Sequence, residues 1–228
     1  MSAEELFAEL PGGGRVLFTA RSHGNMSSVG GERRASAEDA RERLRELIGV
    51  ERLVRGHQVH GAHVELIDGT SPAQSLAGEH PHADGQATAL AGIGAMALAA
   101  DCMPVALGCE GAVAIVHAGW RGIAAGVLEA GVDAIRRLGG HGPIHAVAGP
   151  AAGVCCYEVD HEVHEVFGHA HRHGRRIDLR AIAHDRLLAA GAARVLDVEA
   201  CTICDERFFS HRREGPRAGR QVGVAWLS

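Results

Sequence analysis

A cysteine, a histidine and an arginine stand close together in DCMPVALGCEGAVAIVHAGWRGIAAG, the segment from Asp101 to Gly126. Cys102 comes just before one apolar run, His117 ends the next, and Arg121 follows in the glycine-flanked AGWRG. A thiolate and an imidazole bind metal ions, or act together as nucleophile and base. A guanidinium at the start of a helix is suited to a phosphate or carboxylate. The segment therefore predicts a metal or nucleophile site beside an anion site.

A candidate third ligand lies upstream, in HQVHGAHV, which starts at His57. If this segment is a strand, the side chains of His57 and His60 point to opposite faces. His60 is followed by Gly61, where the chain turns, and is better placed to reach a site at strand ends. Together with Cys102 and His117 it forms a His–Cys–His set. Zinc accepts these ligands, and three protein ligands with one open position are typical of a catalytic zinc site.

Copper is the alternative metal. Two histidines, one cysteine and the adjacent Met103 resemble a blue-copper ligand set. However, Met103 directly follows Cys102, so its side chain is expected to point elsewhere. A multicopper oxidase also needs several organised H-x-H pairs, whereas HPH (His80–His82) and HAHRH (His169–His173) fall in predicted loops. Zinc is therefore preferred, with copper as an adventitious or alternative metal.

Cysteine chemistry offers a different class of enzyme. With Cys102 as the nucleophile and His117 as the base, the same residues would serve a hydrolase or transferase.

Four other cysteines suggest a structural zinc module, which would be a non-enzymatic function. They are Cys155, Cys156, Cys201 and Cys204. The C-x-x-C pair suits zinc, but adjacent cysteines are poor geometry for two tetrahedral ligands, and there is no second C-x-x-C. We therefore expect buried or free thiols here.

Composition narrows the classes of function. The 228 residues are 46% hydrophobic and 22% charged, with a formal net charge of −5 and 4% aromatics, which argues against binding of nucleic acid or an anionic membrane. The sequence has no lysine, which excludes Schiff-base chemistry and a Walker-type phosphate site. The acidic N-terminus does not resemble a secretory signal, and no apolar run reaches membrane-spanning length, so a cytoplasmic protein is expected.

The pattern of elements predicts one α/β domain over residues 1–228, with helices on both sides of a central mixed sheet. Continuous apolar runs from GAMALAA to AVAIVHA predict strands buried on both faces. Helices are predicted over Ser36–Gly49, Arg121–Leu138 and Leu179–Gly191. A hairpin or two short strands are predicted within Leu53–Ile67, and RFFSHR, which starts at Arg207, is predicted to be a strand.

A series of motifs runs through nearly the whole chain. In order they are QVHGAHV (Gln58–Val64), ADG (Ala83–Gly85), ADCMPV (Ala100–Val105), HAGWRG (His117–Gly122), AGPAAGVCCYEV (Ala148–Val159), CT (Cys201–Thr202), RFFSHRR (Arg207–Arg213) and GRQ (Gly219–Gln221). In these motifs the sequence resembles a bacterial family formerly called multicopper polyphenol oxidoreductases, or laccase-like proteins. The same family is described as zinc-dependent purine nucleoside phosphorylases and as a peptidoglycan editing factor.

The resemblance implies an α/β/β/α layered sandwich with mixed sheet, like that of toxin-like cysteine hydrolases. It implies phosphorolysis of adenosine, inosine, guanosine and methylthioadenosine, together with adenosine deaminase activity. It also implies small-molecule partners, a purine nucleoside and phosphate. Editing of a peptidoglycan precursor by Cys102 and His117 is the alternative, and a copper-dependent polyphenol oxidase is a weaker one.

The family's motifs place the metal ligands at His60, Cys102 and His117. Arg121 falls on the motif's arginine, a phosphate or substrate contact, and Asn25 on the asparagine of the N-terminal segment.

Other residues are assigned to substrate and proton transfer. Arg212, next to Arg213, is a second source of positive charge, and Tyr157 and Ser210 are expected to approach the substrate. Asp84 or Asp101 would carry the proton when water attacks the purine C6. The sequence lacks the H-x-E…P-C-x-x-C signature of cytidine and tRNA-type deaminases, so deamination would rest on a different architecture.

Overall fold

Two β-sheets pack face to face in the computed structural model, which describes residues 6–27, 34–69 and 80–228. The strands are β1 (Phe7–Glu9), β2 (Gly14–Phe18), β3 (Arg52–Val54), β4 (Val64–Ile67), β5 (Gly85–Thr88), β6 (Ile93–Ala99), β7 (Met103–Glu110), β8 (Ala112–Ala118), β9 (His141–Ala148), β10 (Arg172–His173), β11 (Arg176–Ile177), β12 (Ala192–Asp197) and β13 (Gln221–Leu227). One sheet has the order β1-β2-β13-β6-β3 and the other β12-β9-β7-β8-β5-β4, while β10 and β11 form a small hairpin. Both large sheets mix parallel and antiparallel pairs.

Helices cover the outer faces of both sheets. They are α1 (Arg34–Ile48), α2 (Trp120–Ala125), α3 (Val127–Arg137), α4 (His161–Val166), α5 (Leu179–Ala189) and α6 (His211–Glu214). Helix α1 packs against the five-stranded sheet, whereas α2, α3 and α5 pack against the six-stranded sheet. The layers are therefore α/β/β/α, and the predicted sandwich is confirmed. The expectation of one central sheet was wrong, since two sheets share the interior.

Strand β8 explains why the central strands are apolar on both faces. Val113 and Ile115 enter the core between the two sheets, while Ala114 and Val116 enter the core beneath the helices. Alternate side chains of a strand point to opposite faces, so both parities must be apolar here.

Two predicted elements differ in the structure, and for Leu53–Ile67 one of the two predicted alternatives is found. The helix predicted over Arg121–Leu138 is broken at Gly126, whose φ of 94° ends α2 before α3 begins. A left-handed residue of this kind interrupts the helical hydrogen bonding, and glycine adopts it at low cost.

The segment RFFSHR is not a strand, because Ser210 caps α6 and the preceding residues form no ladder. Within Leu53–Ile67 the chain forms two short strands, but these belong to different sheets rather than to a hairpin.

Among the residues that the structure describes, no helix is both long enough and apolar enough to cross a membrane.

Candidate metal centre

Three strand ends bring the central residues together. Strands β7 and β8 form an antiparallel hairpin in which Pro104 pairs with His117, so Cys102 lies beside the end of β8. Strand β5 pairs with the other edge of β8, with Gly85 opposite Val116. Asp84, just before β5, therefore also lies next to His117. The hairpin accounts for the spacing between the cysteine and the histidine in the sequence.

The turn that carries His60 wraps around the carboxylate of Asp84. His60 has a φ of 61°, and its backbone N–H donates to Asp84 Oδ1 at 2.9 Å. The N–H groups of Val59 and Gly61 donate to Oδ2 at 3.0 and 2.7 Å. This segment is a tight turn and not a strand. The turn, and not the alternation of side chains along a strand, therefore brings His60 to the other two residues.

Gln58 fixes the same turn to the five-stranded sheet. Its side-chain amide donates to the carbonyl of Leu98 at 2.8 Å and accepts from the Leu98 N–H at 2.8 Å. This pair of bonds mimics one more strand pairing at the edge of β6. The His60 turn is therefore held between a carboxylate on one side and a strand on the other.

The side chains of His60, Cys102 and His117 converge, with their ligand atoms all within 4.8 Å of one another. Cys102 Sγ lies 3.9 Å from His60 Nε2, and the two imidazole rings are 4.9 Å apart between centroids. Burial opposes ionisation, but the charge of His117 outweighs it and lowers the pKa of Cys102 to about 6. In return, against the effect of burial, the Cys102 thiolate and Asp84 raise the pKa of His117 to about 9.

The donor set fits a zinc ion. His117 Nδ1 lies 2.9 Å from Asp84 Oδ1, which leaves Nε2 for a metal in the usual carboxylate–histidine–metal arrangement. Gly119 preserves the space around the ligands, because a Cβ there would lie 2.9 Å from Cys102 Sγ and 3.2 Å from His60 Cδ2. Three ligands of N and S type with an open side match a catalytic zinc site.

Asp84 is buried behind this centre. Burial would raise its pKa, but the hydrogen bonds from His117, Gly61 and Val59 hold the pKa below its usual range. Both oxygens are thus committed to the turn and to the imidazole. Asp84 does not line the cavity in front of the ligands, whereas Asp101 does.

A cavity of about 550 Å³ opens in front of the three ligands. Four arginines line it, together with the rings of Trp120 and Tyr157; the arginines are Arg55, Arg121, Arg212 and Arg220. The volume is in the range of small-molecule sites. Four guanidinium groups around one cavity indicate an anionic ligand.

Arg121 is exposed, and its guanidinium lies 4.3 Å from the centroid of the Trp120 ring. Within the described part of the chain no carboxylate pairs with it. Arg212 stacks in the same way on Tyr157, at 4.9 Å, and donates to the Glu158 carbonyl at 2.8 Å. Two arginine–aromatic pairs therefore present both a cation and a flat apolar ring to the cavity.

Arg55 and Arg220 are further from solvent. Burial, aided by the charge of Arg41, lowers the pKa of Arg55, and burial lowers that of Arg220. Arg55 Nε is buried and has no hydrogen-bond partner among the described residues. An anion in the cavity would offset both desolvation costs.

Asp101 is held in an unusual backbone conformation, with a φ of 85°. Its Oδ1 accepts from the Thr202 hydroxyl at 2.7 Å and its Oδ2 from the Arg212 N–H at 2.7 Å. Tyr157 is buried, and burial together with the Cys102 thiolate raises its pKa to about 12. Tyr157 therefore stays protonated and can donate a hydrogen bond into the cavity.

Two predicted substrate residues lie outside the cavity lining. Asn25 Oδ1 accepts from the N–H groups of Arg220 and Ser27, at 2.8 and 3.1 Å, and these two residues line the cavity instead. Ser210 is fully buried, and its Oγ accepts from the Arg213 N–H at 3.1 Å as the cap of α6. Its neighbour His211 lines the cavity.

Sequence reasoning missed Arg55 and Arg220 as cavity residues, and Gln58 as the anchor of the turn. Arg220 lies in the GRQ motif and Gln58 in the QVHG motif. Membership of these motifs was the sequence signal that could have identified both residues.

The four remaining surface cysteines also converge. The sulfurs of Cys155, Cys156, Cys201 and Cys204 all lie within 4.8 Å of one another. All four are free thiols, as expected. Their convergence was not expected; it arises because the chain turns at Cys155 and Cys156 and brings both sulfurs to the C-x-x-C turn.

Comparisons with known proteins agree with this architecture. Residues 14–228 match the family described as multi-copper polyphenol oxidoreductase laccase. A protein from Xylella fastidiosa named purine nucleoside phosphorylase is 36% identical, covering 95% of this chain and 88% of its own. A protein from an unknown prokaryotic organism named adenosine deaminase RL5 is 35% identical, covering 80% of this chain and 78% of its own. The crystal structure of YlmD from Geobacillus stearothermophilus superposes with a TM-score of 0.83 at 30% identity, covering 94% of this chain and 92% of its own.

The chain belongs to this laccase-like family, as the resemblance of its motifs predicted. Despite the family's description, the described residues contain one His–Cys–His group and not the several histidine clusters of a multicopper oxidase.

Proposed function

We propose that this protein is a zinc-dependent purine nucleoside phosphorylase that also deaminates adenosine. The observation that carries the proposal is the arrangement of the cavity, where a three-ligand metal group and four arginines face the same space. Relatives named purine nucleoside phosphorylase and adenosine deaminase support both activities. We propose that the protein works in the cytoplasm as a single domain; its cysteines are all free thiols, which suits a reducing compartment.

Phosphate is held by the arginines. In phosphorolysis a phosphate oxygen forms a bond to C1′ of the ribose while the bond from C1′ to the purine breaks. Arg121 is exposed at the cavity and free of carboxylate partners in the described chain, so it is the first contact for phosphate. Arg212 adds a second cation. Two guanidinium groups fix the nucleophile and offset its charge.

The purine is held by the aromatic part of the cavity. Trp120 and Tyr157 line the cavity, each with an arginine over one face of its ring, and the Tyr157 hydroxyl is a hydrogen-bond donor at neutral pH. Asp101 is the carboxylate that lines the cavity, so it exchanges the proton with the departing base or with the attacking water. Asp84 acts as a positioning residue through His60 and His117.

His60, Cys102 and His117 would hold the zinc ion. When bound, zinc supplies a Lewis acid that polarises a substrate oxygen or lowers the pKa of a water. The three side chains would hold it at the cavity that the substrate enters.

A cysteine hydrolase is the second candidate, and one observation favours it. The Cys102 thiol lies within 4.8 Å of His117, whose Nδ1 lies 2.9 Å from Asp84 Oδ1, and the charge of His117 lowers the pKa of Cys102 to about 6. Such a set could open an acyl substrate such as a peptidoglycan precursor. Zinc bound to the thiolate would block this chemistry, so metal occupancy separates the two candidates.

Product analysis tests the proposal. Zinc-loaded protein is incubated with adenosine in the presence and absence of phosphate, and products are identified by chromatography and mass spectrometry. We expect adenine and ribose 1-phosphate only with phosphate, and inosine in both samples. If folded, zinc-loaded protein forms none of these, the proposal fails.

A further inference from the structure

The four surface cysteines form a group that the nucleoside chemistry does not use. Cys155 and Cys156 lie in the turn that precedes Tyr157, and Cys201 and Cys204 lie in the turn that precedes α6. We propose that these four cysteines bind a second zinc ion as a structural site, separate from the His–Cys–His centre.

The distances between the sulfurs suit one tetrahedral ion. Zinc–sulfur distances of about 2.3 Å place four sulfurs about 3.8 Å apart in a regular tetrahedron. In the structure all four lie within 4.8 Å, with Cys204 Sγ at 3.4 Å from Cys155 and 2.8 Å from Cys156. The Cys156–Cys204 pair, at 2.8 Å, is closer than this spacing and would have to open by about 1 Å to admit the ion.

A backbone hydrogen bond fixes the position of the Cys201 sulfur. Cys201 Sγ accepts from the Gly153 N–H at 3.2 Å. A backbone donor of this kind orients a thiolate ligand and partly neutralises it. The C-x-x-C turn therefore has a prepared ligand even without the ion.

The two turns are held in register independently of the sulfurs. Ala151 and Cys201 form a parallel bridge, in which the Ala151 N–H donates to the Ala200 carbonyl and the Thr202 N–H to the Ala151 carbonyl, at 3.3 and 3.0 Å. This contact brings the C-C turn against the C-x-x-C turn.

Two arginines are held on the turns that carry the cysteines, although Arg213 is also paired with Glu214 at 2.8 Å. Four thiols release four protons when they bind Zn²⁺, so the complex carries a net charge of about −2. Arg176 donates to the Cys155 carbonyl at 2.8 Å, and Arg213 donates to the Thr202 and Ile203 carbonyls at 2.8 and 2.9 Å. One guanidinium is thus fixed on each turn.

The site would stabilise the wall of the substrate cavity. Tyr157 directly follows Cys156, and the Thr202 hydroxyl next to Cys201 donates to Asp101. A zinc ion that joins the two turns would hold both Tyr157 and Asp101 in place.

Zinc content and X-ray absorption test the proposal. The full chain and its Cys102→Ala variant are purified with zinc and a reductant under anaerobic conditions. We expect two zinc ions per wild-type chain and one per Cys102→Ala chain. In the variant we expect an absorption spectrum with sulfur ligands only, at about 2.3 Å. Cys109→Ala, a buried cysteine of β7 outside both groups, serves as the control and should retain both ions.

The double variant Cys201→Ser/Cys204→Ser should lose one ion and keep the His–Cys–His ion. The proposal is overturned if Cys102→Ala protein contains no zinc, if its zinc has nitrogen or oxygen ligands, if iron replaces it, or if peptide mapping finds a disulfide between the two turns. A wild-type count of one with an all-sulfur shell would support this site and count against the His–Cys–His zinc, so the two proposals fail separately.

Discussion

Asp84 shows how one buried carboxylate can organise a site that it does not enter. It accepts three backbone N–H groups from the His60 turn and contacts the His117 imidazole. It therefore fixes the position of one ligand and the orientation of another. We expect Asp84→Asn to lower zinc affinity or activity by about 10–100-fold, as is usual for partners of metal-bound histidines.

Chelator competition on the purified variant measures this effect. Asp185→Asn is the matched control, since Asp185 also pairs with a histidine, His171 at 2.7 Å, but on the surface. Equal zinc affinity in Asp84→Asn and wild-type protein would show that the carboxylate does not support the metal.

Arg121 is predicted to distinguish the two activities. If it holds phosphate, Arg121→Gln removes a charge-assisted contact, and the KM for phosphate should rise by about 10-fold or more. Deamination of adenosine, which does not consume phosphate, should change little. Steady-state kinetics with varied phosphate measure the difference, with the exposed Arg137→Gln as control. A parallel fall in both activities would assign Arg121 to the nucleoside instead.

At the level of single residues, the sequence predicted that His60, Cys102 and His117 come together and that Arg121 lies beside them, which the structure shows. Their roles as metal ligands and as phosphate contact stay predictions. The sequence did not show which of Asp84 and Asp101 faces the substrate and which lies behind the metal ligands. Asp84 precedes the buried strand β5, and Asp101 lies between the buried strands β6 and β7. Only the register of β5 against β8 shows that Asp84 is the one behind His117. The convergence of Cys155 and Cys156 with the C-x-x-C turn was likewise hidden, because it depends on a contact between turns far apart in sequence.

The secondary structure elements position the site through their ends. Strands β5, β7 and β8 deliver Asp84, Cys102 and His117 to one edge of the six-stranded sheet. The His60 turn is anchored on the other sheet through Gln58. The metal centre therefore joins the two sheets and does not belong to either one.

Gln58→Ala tests this anchor. The variant loses two hydrogen bonds to Leu98, which should lower the free energy of unfolding by about 1–3 kcal/mol and weaken zinc binding, since the His60 turn is less constrained. Denaturant unfolding and zinc titration measure the two effects. Val59→Ala changes an exposed side chain of the same turn and is the control. Unchanged zinc affinity together with lower stability would mean that Asp84 alone positions His60.

The strongly apolar strands were predicted well because both of their faces are buried, which leaves a continuous signal in the sequence. The partition into two sheets was not predicted from the pattern, since an apolar run looks the same between two sheets as between a sheet and helices. The break at Gly126 was also missed, because a glycine within an amphipathic segment does not by itself reveal a left-handed conformation.

For the whole molecule, a zinc ion bound by His60, Cys102 and His117, a group that is held by both sheets, should have a large effect on stability. A ligand at about 1,000 times its Kd adds about 4 kcal/mol to the free energy of unfolding. For a chain of this length that corresponds to a rise in Tm of about 8–16 °C. Scanning calorimetry of the Cys201→Ser/Cys204→Ser variant, which lacks the second proposed site, with and without zinc should show this rise in one cooperative transition, as expected for a single domain.

Two transitions, with only one of them sensitive to zinc, would contradict both the single domain and the joining role of the metal. Calcium in place of zinc is the control, because it prefers oxygen ligands and should leave the Tm unchanged.

Removal and restoration of zinc tests the central claim most directly. Metal-free protein, the same protein reloaded with zinc, and zinc-treated His117→Ala are each incubated with adenosine and phosphate, with the exposed His173→Ala as control. We expect adenine, ribose 1-phosphate and inosine from the reloaded and His173→Ala proteins, and almost none from the metal-free and His117→Ala proteins. Full turnover by folded, metal-free protein would contradict it.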